Sequence, residues 1–305
     1  MVTSPHSHRN GATAYVAWVL VCLIWGTTYL AIRIALETIP PALVGGIRFT
    51  SAGVILATVL LLRGEQLPSR TAWPAIALMG LLLLGIGNGA VVWAEQWVPS
   101  GVAALVVATT PFWLNGIDAV VGGDRKATFY TWVGLIVGFV GVVVLVWPDL
   151  TRGGARGQLF LLGLAALQLA SLGWSLGTIY ARRQAEARSA IGSAALQMIA
   201  GGGIMLLLGT VRGEWAQLTV TVRSAAAEVY LTVAGSIVAY SAYVYILKHL
   251  PLPIVSLYSY INPVIAVILG WALMGEPGGW RVAIAAALVI GGVVITRWPS
   301  EREQP

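Results

Sequence analysis

The sequence predicts an all-α integral membrane protein with ten transmembrane helices, arranged as two inverted five-helix repeats around a central cavity. Three observations support this prediction. The chain of 305 residues is 58% hydrophobic and only 10% charged, with a mean hydropathy of +0.83. It divides into apolar segments of about the 20 residues that a bilayer-spanning helix needs. It also resembles itself at a shift of 151–152 residues.

The composition excludes several classes of protein. A soluble domain has about 25% charged residues, so this chain lacks the polar surface that water requires. The net charge of +6 is spread over short loops without a long basic run, which indicates membrane topology and no nucleic-acid partner. The single cysteine, Cys22, excludes an internal disulfide and a cysteine-based metal site. No phosphate-binding loop of the form GxxxxGK[ST] occurs, and we expect neither a cofactor nor a metal.

The apolar segments define the organisation of the chain. We predict a cytoplasmic tail over 1–11, a first repeat over 12–148, a second repeat over 157–298 and a cytoplasmic tail over 299–305. Tryptophans near the span ends are typical of membrane interfaces, and Lys and Arg are more frequent on the side of the N-terminus. This bias predicts a multi-pass protein of the inner (plasma) membrane with both termini in the cytoplasm. The predicted spans are 12–34, 40–62, 72–94, 100–121, 129–147, 157–180, 190–211, 225–247, 253–274 and 280–298.

The internal repeat gives these spans a symmetry. Gly26-Thr27-Thr28-Tyr29 matches Gly177-Thr178-Ile179-Tyr180, and Pro111 matches Pro263. Because each repeat holds an odd number of spans, the second repeat enters the membrane from the opposite side. Inverted repeats in transporters place the substrate near the bilayer midplane, between the two halves. A duplicated helical scaffold without transport is the alternative.

Short motifs resemble those of a known family. Arg48-Phe49 lies in the second span, spans four and nine each contain a proline, and Gly275-Glu276 follows span nine. In these features the chain resembles the drug/metabolite transporter superfamily, and within it the EamA-domain branch. Its many Trp and Tyr residues further resemble the aromatic amino-acid exporters of that branch. Gly123-Asp124 stands where the family often has Gly-Glu, and we expect this difference to have little consequence.

Polar side chains inside the spans predict the substrate path. Such groups are costly in lipid and usually face a cavity. Several of them recur at helical spacing, as Tyr258 and Asn262 do in span nine. Serine and threonine also bond to their own backbone, and amides also hold helices together, so both roles stay open. The predicted substrate-binding residues are Trp25, Thr28, Asn88, Thr110, Gln168, Ser171, Trp174, Ser175, Thr178, Tyr240, Tyr243, Tyr258 and Asn262.

Four further residues are candidates for coupling or gating. Arg48 lies well within a span, where it could meet a substrate carboxylate, extend towards the interface or pair with Glu95. Pro111 and Pro263 each remove an amide donor and can bend their helices. Glu95 lies near the outer end of span three, and we identified no carboxylate clearly at the midplane. This pattern favours facilitated movement, or weak coupling through Glu95.

The predicted cavity residues are aromatic, hydroxyl and amide groups with hardly any charge. Phosphate carriers of the superfamily need basic residues on the path, whereas spans eight and nine offer only Lys248, in a loop. Small multidrug antiporters use a carboxylate in span one, where this chain has Trp25 and Thr27. A small zwitterion fits better, because amides and hydroxyls can donate to its carboxylate. Aromatic faces can hold its ammonium group with about 2 kcal/mol when the group is desolvated.

We therefore expect a monomeric secondary transporter that exports amino acids, aromatic and other neutral ones, by alternating access with broad specificity. Other small metabolites or quaternary-ammonium drugs are the alternative substrates, and a channel or scaffold is the alternative class. An enzyme would need His, Asp, Glu or Cys clustered at helical spacing, and the sequence has no such cluster.

Overall fold

The computed structural model describes residues 6–120, 129–152, 154–183, 190–250, 258–276 and 278–297. Throughout these ranges the regular elements are helical, and no β-strand is present. Six helical segments of the described chain are long and apolar enough to cross a membrane, and shorter apolar helices accompany them. The prediction of an all-α membrane protein is therefore confirmed. The long segments are Ala12–Ala35, Pro41–Leu62, Arg70–Ala94, Gly157–Ala181, Ala190–Val211 and Val222–Ile246.

The helices coincide with the predicted spans to within a few residues at most ends. Helix α1 begins earlier than expected, and the predicted residues 253–257 and most of the two tails lie outside the described residues, as does Gly123-Asp124. The elements are α1 (His6–Ala35), α2 (Pro41–Leu62), α3 (Trp73–Gly80), π1 (Leu81–Asn88), α4 (Gly89–Ala94), α5 (Ser100–Val107), α6 (Thr110–Val120), α7 (Phe129–Arg152), α8 (Gly154–Arg183), α9 (Ala190–Val211), α10 (Val222–Tyr230), π2 (Leu231–Val238), α11 (Ala239–His249), α12 (Tyr258–Met274) and α13 (Trp280–Arg297). Short 3₁₀ turns precede α3 and α10.

Two helix pairs make the most extensive contacts, α2 with α9 and α7 with α13. Helix α1 packs on α12 and on the α10–π2–α11 segment, while α8 packs on α5, α6 and the π1–α4 segment. Glycines allow the backbones of α2 and α9 to approach closely. A Cβ on Gly202 would lie 2.5 Å from the backbone nitrogen of Thr50, and one on Gly53 would lie 2.6 Å from the carbonyl oxygen of Ala195. Small residues with this role are typical of membrane helix interfaces.

The helices of predicted spans three and eight each contain a π-helical segment. In π1 and π2 the turns are wider than in an α-helix, and hydropathy alone did not predict them. Such segments are rare and often occur at functional sites. Asn88 at the end of π1 and Ser236 within π2 both line the cavity described below.

Polar contacts gather at one face of the molecule, where α1, α4, α9 and α12 end and α2, α5 and α10 begin; we call it the Glu276 face. The Glu276 carboxylate accepts hydrogen bonds from the backbone nitrogens of Ser100 (2.7 Å) and Gly101 (3.0 Å) and from the Ser100 hydroxyl (3.0 Å). These donors form the first turn of α5, where unpaired amides and the helix dipole favour a negative charge. Glu276 thereby connects the second half of the chain to the first.

Glu214 makes an equivalent contact at the same face. One oxygen of its buried carboxylate accepts from the backbone nitrogens of Ala42 (3.0 Å) and Leu43 (3.2 Å), in the first turn of α2. Arg33 donates to the backbone carbonyl of Glu95. The Glu276 face is therefore held together by several connections between distant parts of the chain.

Candidate functional site

A cavity of about 210 Å³ lies among the helices, and we call it the central cavity. Residues from both halves of the chain line it, including the middle of α1, the π1 and π2 segments and the start of α12. The lining residues are Trp25, Thr28, Tyr29, Ile32, Arg48, Phe49, Leu84, Gly87, Asn88, Val91, Ala104, Val107, Ala108, Thr110, Pro111, Ala170, Trp174, Met198, Gly235, Ser236, Tyr240, Tyr258, Ser259, Asn262 and Pro263.

An aromatic cluster forms part of this site. The Trp25 ring lies 5.1 Å from the ring centroids of both Tyr243 and Tyr258, and these two tyrosines are 5.7 Å apart in an edge-on arrangement. Tyr240 follows at 6.2 Å from Tyr243. The indole nitrogen of Trp25 donates to the carbonyl of Gly235 at 3.2 Å, which fixes the ring. Aromatic faces held in this way can accept an ammonium group or an apolar side chain.

Arg48 is the basic group of the central cavity. It is only 4% exposed, and its Nε donates to the Ser236 hydroxyl at 2.7 Å. Its guanidinium carbon lies 4.6 Å from the centre of the Phe49 ring. The side chain therefore remains inside the protein and does not extend to the interface, which resolves one of the alternatives left open by the sequence.

Many of the residues predicted from the sequence meet at this cavity. Eleven of the predicted positions line it: Trp25, Thr28, Arg48, Asn88, Thr110, Pro111, Trp174, Tyr240, Tyr258, Asn262 and Pro263. Another six lie outside its lining: Glu95, Gln168, Ser171, Ser175, Thr178 and Tyr243. Tyr243 belongs to the aromatic cluster directly behind the lining. Whether any of these residues binds substrate stays a prediction.

Gln168 lines a second, mostly apolar cavity of about 680 Å³ between α5, α6, α7 and α8. Its amide oxygen accepts from the indole nitrogen of Trp113 at 2.8 Å. Its amide nitrogen lies 3.4 Å from the Thr109 hydroxyl. The amide thus connects α8 to the α5–α6 region. This is the helix-connecting role that the sequence left open for it.

The serines of α8 are buried against the α5–α6 junction. The Thr110 hydroxyl lies 3.1 Å from that of Ser171, and the Ser175 hydroxyl donates to the Ser171 carbonyl at 2.8 Å. Thr178 donates to the carbonyl of Trp174 at 2.8 Å. These hydroxyls satisfy donors and acceptors within the protein, as serine and threonine commonly do in membrane helices.

Asn262 lines the cavity and also joins two helices. With its amide nitrogen turned towards them, it donates to the carbonyls of Cys22 (3.1 Å) and Tyr258 (3.0 Å). The bond to Cys22 crosses from α12 to α1. The acceptor at Tyr258 lies four residues before Asn262, so this amide stabilises the turn that precedes Pro263.

Two buried carboxylates near Arg48 belong to the wider site. Glu95, at the end of α4, is fully buried, and Glu228 in α10 is 7% exposed. Within the described chain neither carboxylate has a hydrogen-bond partner. Glu228 is absent from the predicted residues, although an acid inside predicted span eight was a signal that could have identified it. No group of three His, Cys, Asp or Glu residues in the described ranges is placed to hold a metal ion.

Other lining residues were absent from the predicted set, notably Tyr29, Phe49, Ser236 and Ser259. Ser236 and Ser259 lie beside predicted positions on the same helices, so their spacing offered a weak signal. Phe49 was noted only as part of the Arg48-Phe49 motif, because a phenylalanine in an apolar span is otherwise indistinguishable from a packing residue.

A multi-pass helical membrane protein with a partly polar cavity between its two halves has the architecture of a membrane transporter. The sequence profile of the EamA-like transporter family matches the chain twice, over residues 12–147 and 161–298. The chain therefore belongs to the EamA-like transporter family, within the drug/metabolite transporter superfamily that its motifs resemble.

Curated relatives and a solved structure agree with this membership. The uncharacterized inner membrane transporter YedA of Escherichia coli (strain K12) is 35% identical over 274 residues, which cover 90% of this chain and 87% of YedA. The WAT1-related protein At3g02690, chloroplastic, of Arabidopsis thaliana is 22% identical over 95% of this chain and 71% of its own length. A solved crystal structure with 23% identity matches with a TM-score of 0.65, covering 96% of this chain and 99% of the other, and shows the same fold.

Proposed function

We propose that this chain is a monomeric secondary transporter of small zwitterionic metabolites. Its main cargo is neutral amino acids, including aromatic ones, which it exports across the inner membrane by alternating access. The name of YedA, an inner membrane transporter, supports the choice of membrane.

The packing supports two inverted five-helix repeats. The two most extensive pairs, α2 with α9 and α7 with α13, join spans two with seven and five with ten, which are equivalent positions of the two repeats. The contact of α1 with α12 joins spans one and nine, and that of α8 with α5 and α6 joins spans six and four. These two contacts are equivalent when the repeats are exchanged. The segments π1 and π2 occupy equivalent spans, and the family profile matches each half separately. Such symmetry is the usual basis of alternating access about a site between the repeats.

The observation that carries the substrate class is the lining of the central cavity. Aromatic rings, amides, hydroxyls and the Arg48 guanidinium line the same space, and together they suit a molecule with an ammonium, a carboxylate and a neutral side chain. The volume of about 210 Å³ lies below the range of roughly 300–1,000 Å³ typical of pockets for drug-sized ligands. The size therefore favours a small metabolite over a bulky drug.

The test is exchange in liposomes. Purified protein is reconstituted into vesicles loaded with unlabelled amino acid, and the entry of labelled Phe, Thr and Met is followed with and without a pH gradient. We expect saturable uptake with mutual competition, because one cavity serves all three. Uptake that ignores the gradient would indicate facilitated movement, whereas acceleration would indicate coupling, with Glu95 as the first residue to replace.

A pair of tryptophans provides the matched variants. Trp25→Ala removes a ring from the cavity wall, and we expect it to raise the half-saturating concentration of Phe at least about tenfold, in line with an aromatic–cation contact of about 2 kcal/mol. Trp132→Ala removes a ring that is 60% exposed on α7 and should leave uptake unchanged. Vesicles that take up none of the three amino acids, but do take up quaternary-ammonium compounds, would overturn the proposed substrate class.

A further inference from the structure

Arg48 carries a charge that the described protein pairs incompletely. Its Nε is bonded to Ser236, but Nη1 is buried without a hydrogen-bond partner among the described residues. Gly235 lets the guanidinium approach its backbone closely, since a Cβ there would lie only 3.0 Å from Nη2. A buried cation with unused donors is costly, and it usually marks a functional site in a membrane protein.

The neighbouring acids do not complete this pairing. Glu228 and Glu95 both act electrostatically on Arg48. The structure nevertheless records no ion pair within 4 Å between Arg48 and an acid of the described ranges, and the oxygens of both carboxylates are themselves without partners. Both acids therefore lie near Arg48 and leave its Nη1 donor unoccupied.

The incompletely paired guanidinium of Arg48 favours a carboxylate over other anions. A guanidinium presents a planar set of donors that matches a carboxylate. A dianionic phosphate would require more positive charge than one arginine supplies. The aromatic cluster of the same cavity accommodates the remainder of a small amphiphilic molecule.

Building on the proposed function, we propose that Arg48 binds the carboxylate of the transported substrate and so sets the specificity of the central cavity for carboxylate-bearing metabolites. Ser236 is a positioning residue, because its hydroxyl holds Nε and thereby directs the remaining donors. Substrate binding would supply the partner that the buried guanidinium lacks. An amine without a carboxylate would leave it unpaired and bind more weakly.

The experiment compares two ligands that differ only in this group. Competition against labelled Phe in proteoliposomes is measured with unlabelled phenylalanine and with 2-phenylethylamine, which lacks the carboxylate. For the wild-type protein we expect 2-phenylethylamine to need at least about ten times the concentration of phenylalanine, the scale of one hydrogen bond to a charged group. In Arg48→Met the ratio of the two inhibitory concentrations should fall to about one. Because this variant binds Phe weakly, its uptake is followed with labelled 2-phenylethylamine.

A second variant keeps the test valid if Arg48→Met fails to fold. Ser236→Ala retains the guanidinium and removes its orienting bond, so we expect a higher KM for Phe, little change in the maximal rate and an unchanged KM for the amine. Ser236→Thr, which keeps a hydroxyl, should restore the KM for Phe. A structural role alone would affect both ligands equally.

The outcomes separate this inference from the proposed function. Saturable uptake of Phe with equal competition by the amine, unchanged in the Arg48 and Ser236 variants, would overturn the role of Arg48 and leave the amino-acid transporter standing. Uptake of the amine without uptake of any amino acid would overturn both. Collapse of the ligand ratio in the variants, with transport retained, supports both.

Discussion

The contact between Glu276 and the start of α5 should limit how often the Glu276 face opens. Three hydrogen bonds reach this carboxylate from Ser100 and Gly101, at 2.7 to 3.0 Å. A hydrogen bond to a charged group contributes about 1.5–3 kcal/mol and one between neutral groups about 0.5–1.5 kcal/mol, so neutralising the acceptor costs about 1 kcal/mol per bond. Glu276→Gln leaves one acceptor oxygen and puts an NH2 group, which cannot accept, in place of the other, so at most two of the three bonds persist in weaker form. Because Glu276 is only partly buried, we expect the substitution to cost about 2 kcal/mol in total, which is a change of about 30-fold in the open population.

The assay measures access to the cavity from each side. In a Cys22→Ala background, Val91→Cys places a thiol on the cavity wall, where Val91 is 8% exposed. A membrane-impermeant maleimide is applied to right-side-out and to inverted vesicles, so that entry through the Glu276 face is distinguished from entry through the opposite face. Glu276→Gln should raise the labelling rate about 30-fold from the Glu276 side alone.

The control is a contact at the same face that should matter little. Arg223 and Glu37 form an ion pair at 3.2 Å, with side chains 59% and 37% exposed. Exposed pairs contribute about 0–1 kcal/mol, so Arg223→Ala should change the labelling rate by less than about fivefold. If Glu276→Gln changes the rate no more than Arg223→Ala does, the reasoning about the face is wrong.

Three further predictions concern stability and contacts at the site. Gly202→Val should prevent folding or sharply lower the melting temperature, because a Cβ at 2.5 Å from the α2 backbone forces α2 and α9 apart. The matched control is Gly203→Val, which should be tolerated because nothing lies within 4 Å of its Cβ. The melting temperatures of both variants are measured in detergent. Glu214→Ala should lower the melting temperature, because two buried amides in the first turn of α2 lose their acceptor. The expected loss in the free energy of unfolding is about 1–3 kcal/mol. An unchanged melting temperature would contradict this. Asn262→Ala should destabilise the ligand-free protein by about 1–3 kcal/mol, since it removes the bond from α12 to α1; a variant with normal melting and lost binding would instead make Asn262 a substrate ligand.

The helices were predictable from the sequence because hydropathy over about 20 residues depends only on the chain itself. The contact of each side chain was less predictable, because it depends on which neighbour a helix face meets. Gln168 shares a helical stripe with Ser171 and Ser175, yet α8 packs there against α5, α6 and α7, so Gln168 faces the second cavity. Thr109 and Thr110 show the same effect, since a turn of about 100° per residue directs one to each cavity.

The π-helical segments had no signal in the sequence, because one extra residue per turn changes neither composition nor mean hydropathy. Their effect on the site is nevertheless direct, since Asn88 and Ser236 face the cavity from them. Glu228 could have been found from the sequence. It is an acid within an apolar span, which is a signal that the sequence alone provides. Its proximity to Arg48 follows from the packing of α10 near α2.

The two acids that hold the Glu276 face have a further consequence for how the protein can vary. Both belong to the second half of the chain, and four of the five donors that they hold are main-chain amides of the first half. Every residue except proline offers such an amide, so ordinary substitutions at the starts of α2 and α5 leave the donors in place. Replacement of either acid removes its contact at once. These two contacts are therefore encoded mainly at positions 214 and 276, and natural variation can adjust them there while the partner helices change their side chains. Arg33 and the Arg223–Glu37 pair add connections at the same face that do depend on side chains.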